Sequence, residues 1–175
     1  MKETLAWIRD IAIALLIAAI VLFFFRPIIV QQSSMEPTFN SGDYVIVSKQ
    51  SYKMFGDIEY GNVIIFKSSL VDENGKEKNL IKRVIGLPGD TIKVVDGYVI
   101  RNEETIDEEG YIAEQGMSGD MEEIVVGEGK VFVMGDNRAV SQDSRSDSVG
   151  QIDQENIVGK VVLRVFPFNS IRTFG

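Results

Sequence analysis

The chain has 175 residues and a net charge of −8, and it contains no cysteine and no histidine. These absences exclude disulfides, zinc sites built on Cys or His, and a Ser-His-Asp triad. The acidic balance and the scattered Lys and Arg argue against binding of nucleic acid through its phosphates. Proton transfer must therefore use Lys, Asp, Glu or Tyr, and we expect neither a metal nor another cofactor.

A long apolar segment lies near the N-terminus. Residues 11–25 are all apolar, Arg26 and Pro27 follow, and the apolar run resumes through Val30. Twenty residues in a helix measure about 30 Å, which matches a bilayer core. A cleaved signal peptide would need a small-x-small site, which is missing, and a core helix would be apolar on all sides in a small domain. A single membrane anchor over residues 11–30 is predicted, after a short N-terminal segment, residues 1–10.

The flanking charges give this anchor an expected orientation. Lys2 and Arg9 precede the segment and Arg26 follows it closely, so a count of Lys and Arg favours the N-terminus on the inside. Residues 31–175 are then expected on the outer face of the cell membrane. They carry a net charge of −9, because residues 1–30 carry three positive and two negative side chains.

The rest of the chain has the pattern of short β-strands. Runs rich in β-branched residues alternate with Gly, Pro, Asn and Asp turns. The predicted strands are 44–47, 63–66, 81–85, 91–95, 98–100, 131–134 and 157–165. Short helical pieces are expected near 103–109 and 153–156. The predicted fold class is mainly β, with residues 31–175 folded as a barrel or sandwich behind the anchor.

Lys82 lies in an apolar strand and shares a face with Leu80 and Val84. If that face is buried, the pKa of the lysine falls and it can act as a general base near neutral pH. The alternative is an edge lysine whose ammonium reaches solvent and discourages strand pairing. The strand by itself favours this second interpretation.

Ser34 lies in a polar segment that directly follows the apolar run. Serine becomes a useful nucleophile only beside a base, and Lys82 is a credible partner in a chain without histidine. Nothing in the spacing shows that the two residues meet. The alternative is a loop serine that caps a turn ahead of Pro37.

A third polar segment, residues 135–147, alternates carboxylates with arginines. It either orients a catalytic group or forms a loop held together by Asp–Arg pairs. A calcium loop is a weaker interpretation, because the regular oxygen ligands of an EF-hand are missing.

Together the three segments resemble the sequence boxes of type I signal peptidases, which are Ser/Lys-dyad proteases. SMEPT at Ser34–Thr38 resembles the nucleophile box, IKRVIGLPGD at Ile81–Asp90 the catalytic-lysine box, and GDNRAVSQDSR at Gly135–Arg145 the third block. The resemblance implies a largely antiparallel β catalytic domain, shared with self-cleaving repressors. The short stretch 96–134 leaves little room for an extra domain, which is typical of minimal, Gram-positive-like members.

The resemblance also implies roles for individual residues. Ser34 would attack the scissile carbonyl, Lys82 would accept its proton, and the N–H of Ser34 would supply one oxyanion donor. Ser141 would orient Lys82 through a hydrogen bond, supported by Asp143, Arg145 and Asp136. The residues that match the shallow substrate pockets are Val30, Phe39, Leu80 and Ile81. The substrate would be an exported preprotein, bound as an extended strand at the lipid bilayer and cut after a small-x-small sequence.

Two positions depart from the family pattern. Ser33 stands where many members have glycine, and Gln32 stands where some have the serine that supplies the second oxyanion donor. One such donor is worth about 3–4 kcal/mol of barrier, so the identity of the second donor matters.

Two other functions stay open. One is a protease that cleaves itself or a dedicated partner, although the related repressors carry a DNA-binding region instead of an anchor. The other is a catalytically silent, membrane-tethered β domain that binds extracellular partners, in which Ser34 and Lys82 would be dispensable.

Overall fold

The computed structural model describes residues 2–49 and 58–174, which form one α-helix followed by two antiparallel β-sheets. The helix and strands are α1 Lys2–Phe24, β1 Phe25–Ile29, β2 Tyr44–Ser48, β3 Val63–Val71, β4 Glu77–Gly86, β5 Thr91–Val95, β6 Tyr98–Arg101, β7 Glu104–Thr105, β8 Met121–Val125, β9 Lys130–Met134, β10 Ile152–Asp153, β11 Ile157–Phe166 and β12 Arg172–Thr173. The predicted fold class, mainly β behind an N-terminal apolar helix, is confirmed.

The helix α1 is long and apolar enough, by length and composition, to cross a membrane. The stretch Ala6–Phe24 has a mean hydropathy of 2.3, and none of it is buried against the rest of the protein. The expected segment 1–10 is part of this helix, apart from Met1, which lies outside the described residues.

The helix ends earlier than predicted. It stops at Phe24, and the next five residues form β1, which pairs with β2 at the edge of the larger sheet. Pro27 explains the difference: proline lacks the N–H that a helix needs and disfavours helical geometry at Arg26. An edge strand tolerates proline, because its outer N–H groups are not needed for pairing. The expected end of the anchor at residue 30 is therefore corrected to residue 24.

Lys49 ties the end of α1 to the sheet. Its backbone N–H donates to the carbonyl of Phe24 at 2.9 Å, and its Nζ donates to the carbonyl of Leu22 at 3.1 Å. A cation at this position also interacts favourably with the negative end of the helix dipole.

The larger sheet has the strand order β1-β2-β11-β3-β4-β9-β10, with β12 paired to β11. The smaller sheet has the order β7-β6-β5-β8. All the predicted strands are present, β5 with the predicted bounds Thr91–Val95. The strands that sequence analysis did not predict are β1, β7, β8, β10 and β12, which are short, polar or inside the apolar run.

One of the two expected helical pieces is absent. Residues 154–156 form a 3₁₀-helix as expected, but the stretch 103–109 contains β7 and no helix. Asn102 and Glu103 have φ values of 51° and 70°. Two successive positive φ angles make the tight turn that closes the β6–β7 hairpin, and they are incompatible with a right-handed helix.

The core covers both faces of the larger sheet and fixes the segment that carries Ser34. Val30, Met35 and Phe39 are buried against side chains from β2, β3 and β11. The segment 30–39 is therefore anchored on both sides of Ser34. A separate cluster joins the smaller sheet to β4 and β9, and its members are Ile85, Ile92, Val94, Val99, Val126, Phe132 and Met134.

Candidate active site

Ser34 and Lys82 meet although 47 residues separate them in the chain. Lys82 Nζ donates a hydrogen bond to Ser34 Oγ at 2.7 Å. Both side chains are buried, with 7% of Ser34 and 1% of Lys82 exposed. The structure brings together the two residues that the sequence left unconnected.

Lys82 is buried at the point where β4 becomes an inner strand of the sheet. Lys82 lies opposite Ile64 of β3, and β9 begins to pair with β4 at the next residue, Arg83. Its neighbours on the same face, Leu80 and Val84, belong to a hydrophobic cluster. The alternative interpretation, that the ammonium of Lys82 reaches solvent at a sheet edge, is therefore wrong.

Burial also sets the protonation of this lysine. It lowers the pKa of Lys82 to about 8, against the opposing attraction of Asp143 and Asp136 for the ammonium. A buried ammonium loses hydration that the neutral amine does not need. A substantial fraction of Lys82 is therefore neutral at mildly alkaline pH and able to accept a proton from Ser34.

The segment Gly135–Arg145 lies directly against Ser34. The N–H of Asn137 donates to the carbonyl of Ser34 at 3.1 Å, and Asn137 Nδ2 donates to the carbonyl of Ser33 at 3.2 Å. A Cβ on Gly135 would overlap with both Ser141 Oγ and the Ser34 carbonyl. Only glycine allows this approach, so Gly135 has a packing reason that the motif alone did not reveal.

Asp143 and Arg145 form a buried bidentate pair, with Nε–Oδ1 at 2.8 Å and Nη2–Oδ2 at 2.9 Å. Asp143 also accepts the N–H of Gly135 at 2.9 Å. Burial alone would raise the pKa of Asp143, but Arg145 and these hydrogen bonds hold it below its usual range. Asp143 is thus a fixed negative charge that acts on Lys82.

Ser141 does not make the hydrogen bond that the family resemblance implied. Its Oγ is buried and has no hydrogen-bond partner among the described residues. Its backbone N–H donates to the carbonyl of Asn137 at 3.1 Å. Ser141 packs beside Gly135, close to the Ser34 backbone, but not on Lys82 Nζ.

Asp136 has a partner that sequence analysis did not assign. Arg83 Nε and Nη2 bind its two carboxylate oxygens at 2.8 and 2.7 Å. The same guanidinium donates to the carbonyl of Gly61 at 2.8 Å and lies 4.2 Å from the ring centroid of Tyr111. Because Arg83 follows Lys82 in β4, its side chain leaves the opposite face of the strand. The ion pair therefore connects Asp136 to the face of β4 that points away from Lys82.

A second buried cluster lies under the same segment. Arg138 binds both carboxylate oxygens of Glu108 and donates to Ser118 Oγ at 2.9 Å. The hydroxyl of Tyr111 donates to the Glu108 carboxylate at 2.9 Å. Glu108 stands in an acidic run, Asp107-Glu108-Glu109, and no local pattern distinguishes the member that is buried.

A cleft of about 550 Å³ opens beside the dyad. The described residues that line it are Gln31, Gln32, Ser33, Ser34, Ser41, Leu70, Lys78, Leu80, Lys82, Val140 and Gln142. Of the four residues expected in substrate pockets, only Leu80 lines this cleft. Val30 and Phe39 are buried in the core, and Ile81 packs against that same core cluster.

The geometry also bears on the oxyanion donors. The backbone N–H of Ser34 donates no hydrogen bond within the described part of the chain. Gln32 is exposed and lines the cleft next to the nucleophile. Within residues 2–49 and 58–174, no group of acidic side chains is arranged to hold a metal ion.

Comparison with known proteins identifies the family. Signal peptidase I of Bacillus licheniformis is 35% identical over 95% of this chain and 90% of its own length. Signal peptidase I P of Bacillus subtilis subsp. natto is 38% identical over 95% and 91%, and signal peptidase IB of Staphylococcus aureus (strain COL) is 36% identical over 98% and 94%. A solved signal peptidase I of Enterococcus faecalis is 26% identical and matches 59% of this chain and 96% of that one, with a TM-score of 0.48. The family model described as "Signal peptidase, peptidase S26" matches residues 4–166. The chain belongs to the S26 family of signal peptidases, which are serine peptidases.

Proposed function

We propose that this protein is a membrane-anchored endopeptidase that removes signal peptides from exported preproteins, with Ser34 as the nucleophile and Lys82 as the general base. The observation that carries the proposal is the 2.7 Å contact between Lys82 Nζ and Ser34 Oγ in a buried site. A lysine with a pKa of about 8 is a competent base in this setting.

The dyad performs both steps of peptide hydrolysis. The neutral amine of Lys82 takes the hydroxyl proton as Ser34 Oγ attacks the scissile carbonyl carbon. The resulting ammonium gives that proton to the leaving amine when the C–N bond breaks, which leaves an ester on Ser34. A water molecule then attacks the ester and Lys82 takes its proton. Lys82 returns this proton to Ser34 Oγ as the C–O bond of the ester breaks, so the acid product leaves and the serine hydroxyl is restored.

The oxyanion of each tetrahedral intermediate needs hydrogen-bond donors on the Ser34 side of the cleft. The unpaired N–H of Ser34 is the first donor. The second is the side-chain amide of Gln32 or another backbone N–H of this segment. Such donors stabilise the developing charge more strongly in a site that excludes water.

The substrate binds as an extended strand between residues 31–34 and β4. The edge of β4 that faces β9 is open from Glu77 to Lys82, because β9 pairs only with Arg83, Val84 and Gly86. An extended peptide can add to such an edge through main-chain hydrogen bonds. Of the residues expected to shape the pockets for small side chains, Leu80 lies in this cleft. Cleavage after a small-x-small sequence is the expected specificity.

The proposal includes the orientation of the protein in the membrane. The helix α1 crosses the membrane with its N-terminus inside, and the β domain lies on the outer face. Such an anchor keeps the cleft near the membrane surface, where the signal segments of substrates are held.

The dyad is tested by the variants Ser34→Ala and Lys82→Ala. We expect each to abolish cleavage of a preprotein with an Ala-x-Ala site in detergent or liposomes, while the melting temperature shows that the fold is kept. The matched control is Thr105→Ala, which removes an exposed hydroxyl of β7 that lies outside the cleft and makes no side-chain hydrogen bond in the described chain. It should keep most of the activity. Full activity of either dyad variant would instead support a catalytically silent binding domain.

A further inference from the structure

The cleft continues along β4 beyond the dyad. Lys78, Leu80 and Lys82 are two residues apart, so they share one face of the strand, and all three line the cleft. Apart from Lys82, Lys78 is the only charged residue among the described residues that line it. The other polar side chains there are serines and glutamines, which carry no charge.

Lys78 has no ion-pair partner among the described residues. Asp72 feels its charge, but the N–H groups of Lys76 and Asn74 hold that carboxylate at 3.0 and 2.8 Å and are the main cause of its lowered pKa. In a domain with a net charge of −9, an unpaired lysine that faces the substrate cleft is unusual. Its ammonium is available to an anionic group from outside the chain.

The position of Lys78 fixes where that group lies on a substrate. Lys78 lies four positions before Lys82 in the strand, a distance of about 13 Å. A substrate extended along β4 advances by the same distance per residue, so its side chain near Lys78 lies about four residues from the scissile bond.

We propose that Lys78 is a specificity-determining residue that favours an acidic side chain about four residues from the scissile bond and disfavours a basic one. This inference rests on the proposed peptidase function of the same cleft. Lys78 is half-buried, and a solvent-accessible ion pair of this kind changes affinity by up to about fivefold. Attraction of Glu and repulsion of Lys act together, so the contrast between the two is expected to reach about tenfold.

The test is a charge scan in peptides that carry one Ala-x-Ala site and otherwise uncharged residues. A single Glu or a single Lys is placed at each position from six residues before to six residues after the scissile bond, and kcat/KM is measured at low salt. For the wild-type protein, the Glu-to-Lys ratio should rise to about tenfold at one position about four residues from the cut. In Lys78→Gln the ratio should fall to about one at that position, and in Lys78→Glu it should invert.

The matched control is Lys76→Glu, which makes the same charge change on an exposed lysine of the same hairpin, outside the cleft. This variant should keep the wild-type ratio at every position. A ratio that survives in Lys78→Glu, or that Lys76→Glu inverts equally well, overturns the proposal because the preference would then come from the general field of the domain. Cleavage with no charge preference overturns this inference alone, whereas failure of the wild-type protein to cleave the uncharged peptide overturns the proposed function as well.

Discussion

Lys82 carries an ionisable side chain at a position that is almost completely buried. Burial lowers its pKa, and the carboxylates of Asp143 and Asp136 limit that decrease. Both carboxylates are themselves paired, with Arg145 and Arg83. Arg145 keeps the pKa of Asp143 below its usual range, so Asp143 stays ionised while Lys82 changes its protonation near its pKa of about 8.

The pH dependence of activity follows from this arrangement. A base must be neutral to accept a proton, so kcat/KM for an uncharged peptide should rise with pH and level off above the pKa of Lys82, which is about 8. Below that pH the rate should fall about tenfold per pH unit, because the neutral fraction falls by that factor. Measurements of kcat/KM from pH 5 to 10 test this. A rate that is constant between pH 6 and 9, or that peaks below pH 6, would contradict a neutral lysine base.

Sequence analysis named Ser34, Lys82 and the supporting residues of the segment 135–145, but not the contacts that bring these residues together. Lys82 and Ser34 stand in local patterns, whereas their meeting depends on how 30–39 packs over the sheet. The pairing of Arg83 with Asp136 was not predicted, because alternation along β4 only shows that Arg83 and Lys82 leave opposite faces. The expected Ser141–Lys82 hydrogen bond came from resemblance, and side-chain torsion angles of this kind are not encoded in a motif.

At the scale of elements, two connections join the segment 135–145 to the rest of the domain. Asp136 reaches β4 through Arg83, and Arg138 reaches the loop that follows β7 through Glu108. The second connection is shorter in sequence and fully buried, with the side chains of Arg138 and Glu108 1% and 5% exposed. The loop between β7 and β8 is therefore a structural support of the active site, although its sequence looks like a solvated acidic turn.

Breaking this connection should destabilise the fold. Glu108→Gln leaves the buried guanidinium of Arg138 without a charged partner, and removal of one partner of such a pair costs about 3–5 kcal/mol. Denaturant unfolding of the purified protein in detergent measures the loss. Glu109→Gln is the matched control, since Glu109 is exposed and forms no ion pair within the described residues. An equal loss in both variants would show that the pair contributes nothing specific.

The elements near the N-terminus show where prediction from an apolar run fails. The run from residue 11 to residue 30 is continuous in hydropathy except at Arg26-Pro27, and we expected one helix across it. The structure divides it into α1 and β1, because proline at residue 27 is acceptable in an edge strand and not in a helix interior. Hydropathy measures burial or membrane contact, and it does not distinguish these two backbone geometries.

At the scale of the whole molecule, α1 runs into the catalytic sheet without a linker. Phe24 ends the helix, Phe25 starts β1, and Lys49 bonds the last turn of the helix to the strand beside it. Ser34 lies ten positions after Phe24, the end of α1, which limits their distance to about 35 Å. A membrane-crossing helix joined in this way restricts both the height and the tilt of the cleft relative to the lipid.

The proposed orientation in the membrane can be tested with single-cysteine variants, because the chain contains no native cysteine. Glu128 is exposed in the turn before β9, and Glu3 precedes the apolar segment. Since Lys2 and Arg9 favour an inside N-terminus, a membrane-impermeant maleimide should label Glu128→Cys in intact cells and Glu3→Cys only after lysis. An intracellular cysteine-containing protein that stays unlabelled before lysis shows that the reagent has not entered. The opposite order of labelling would place the β domain inside, on the side of the membrane where the cleavage sites of exported preproteins do not emerge.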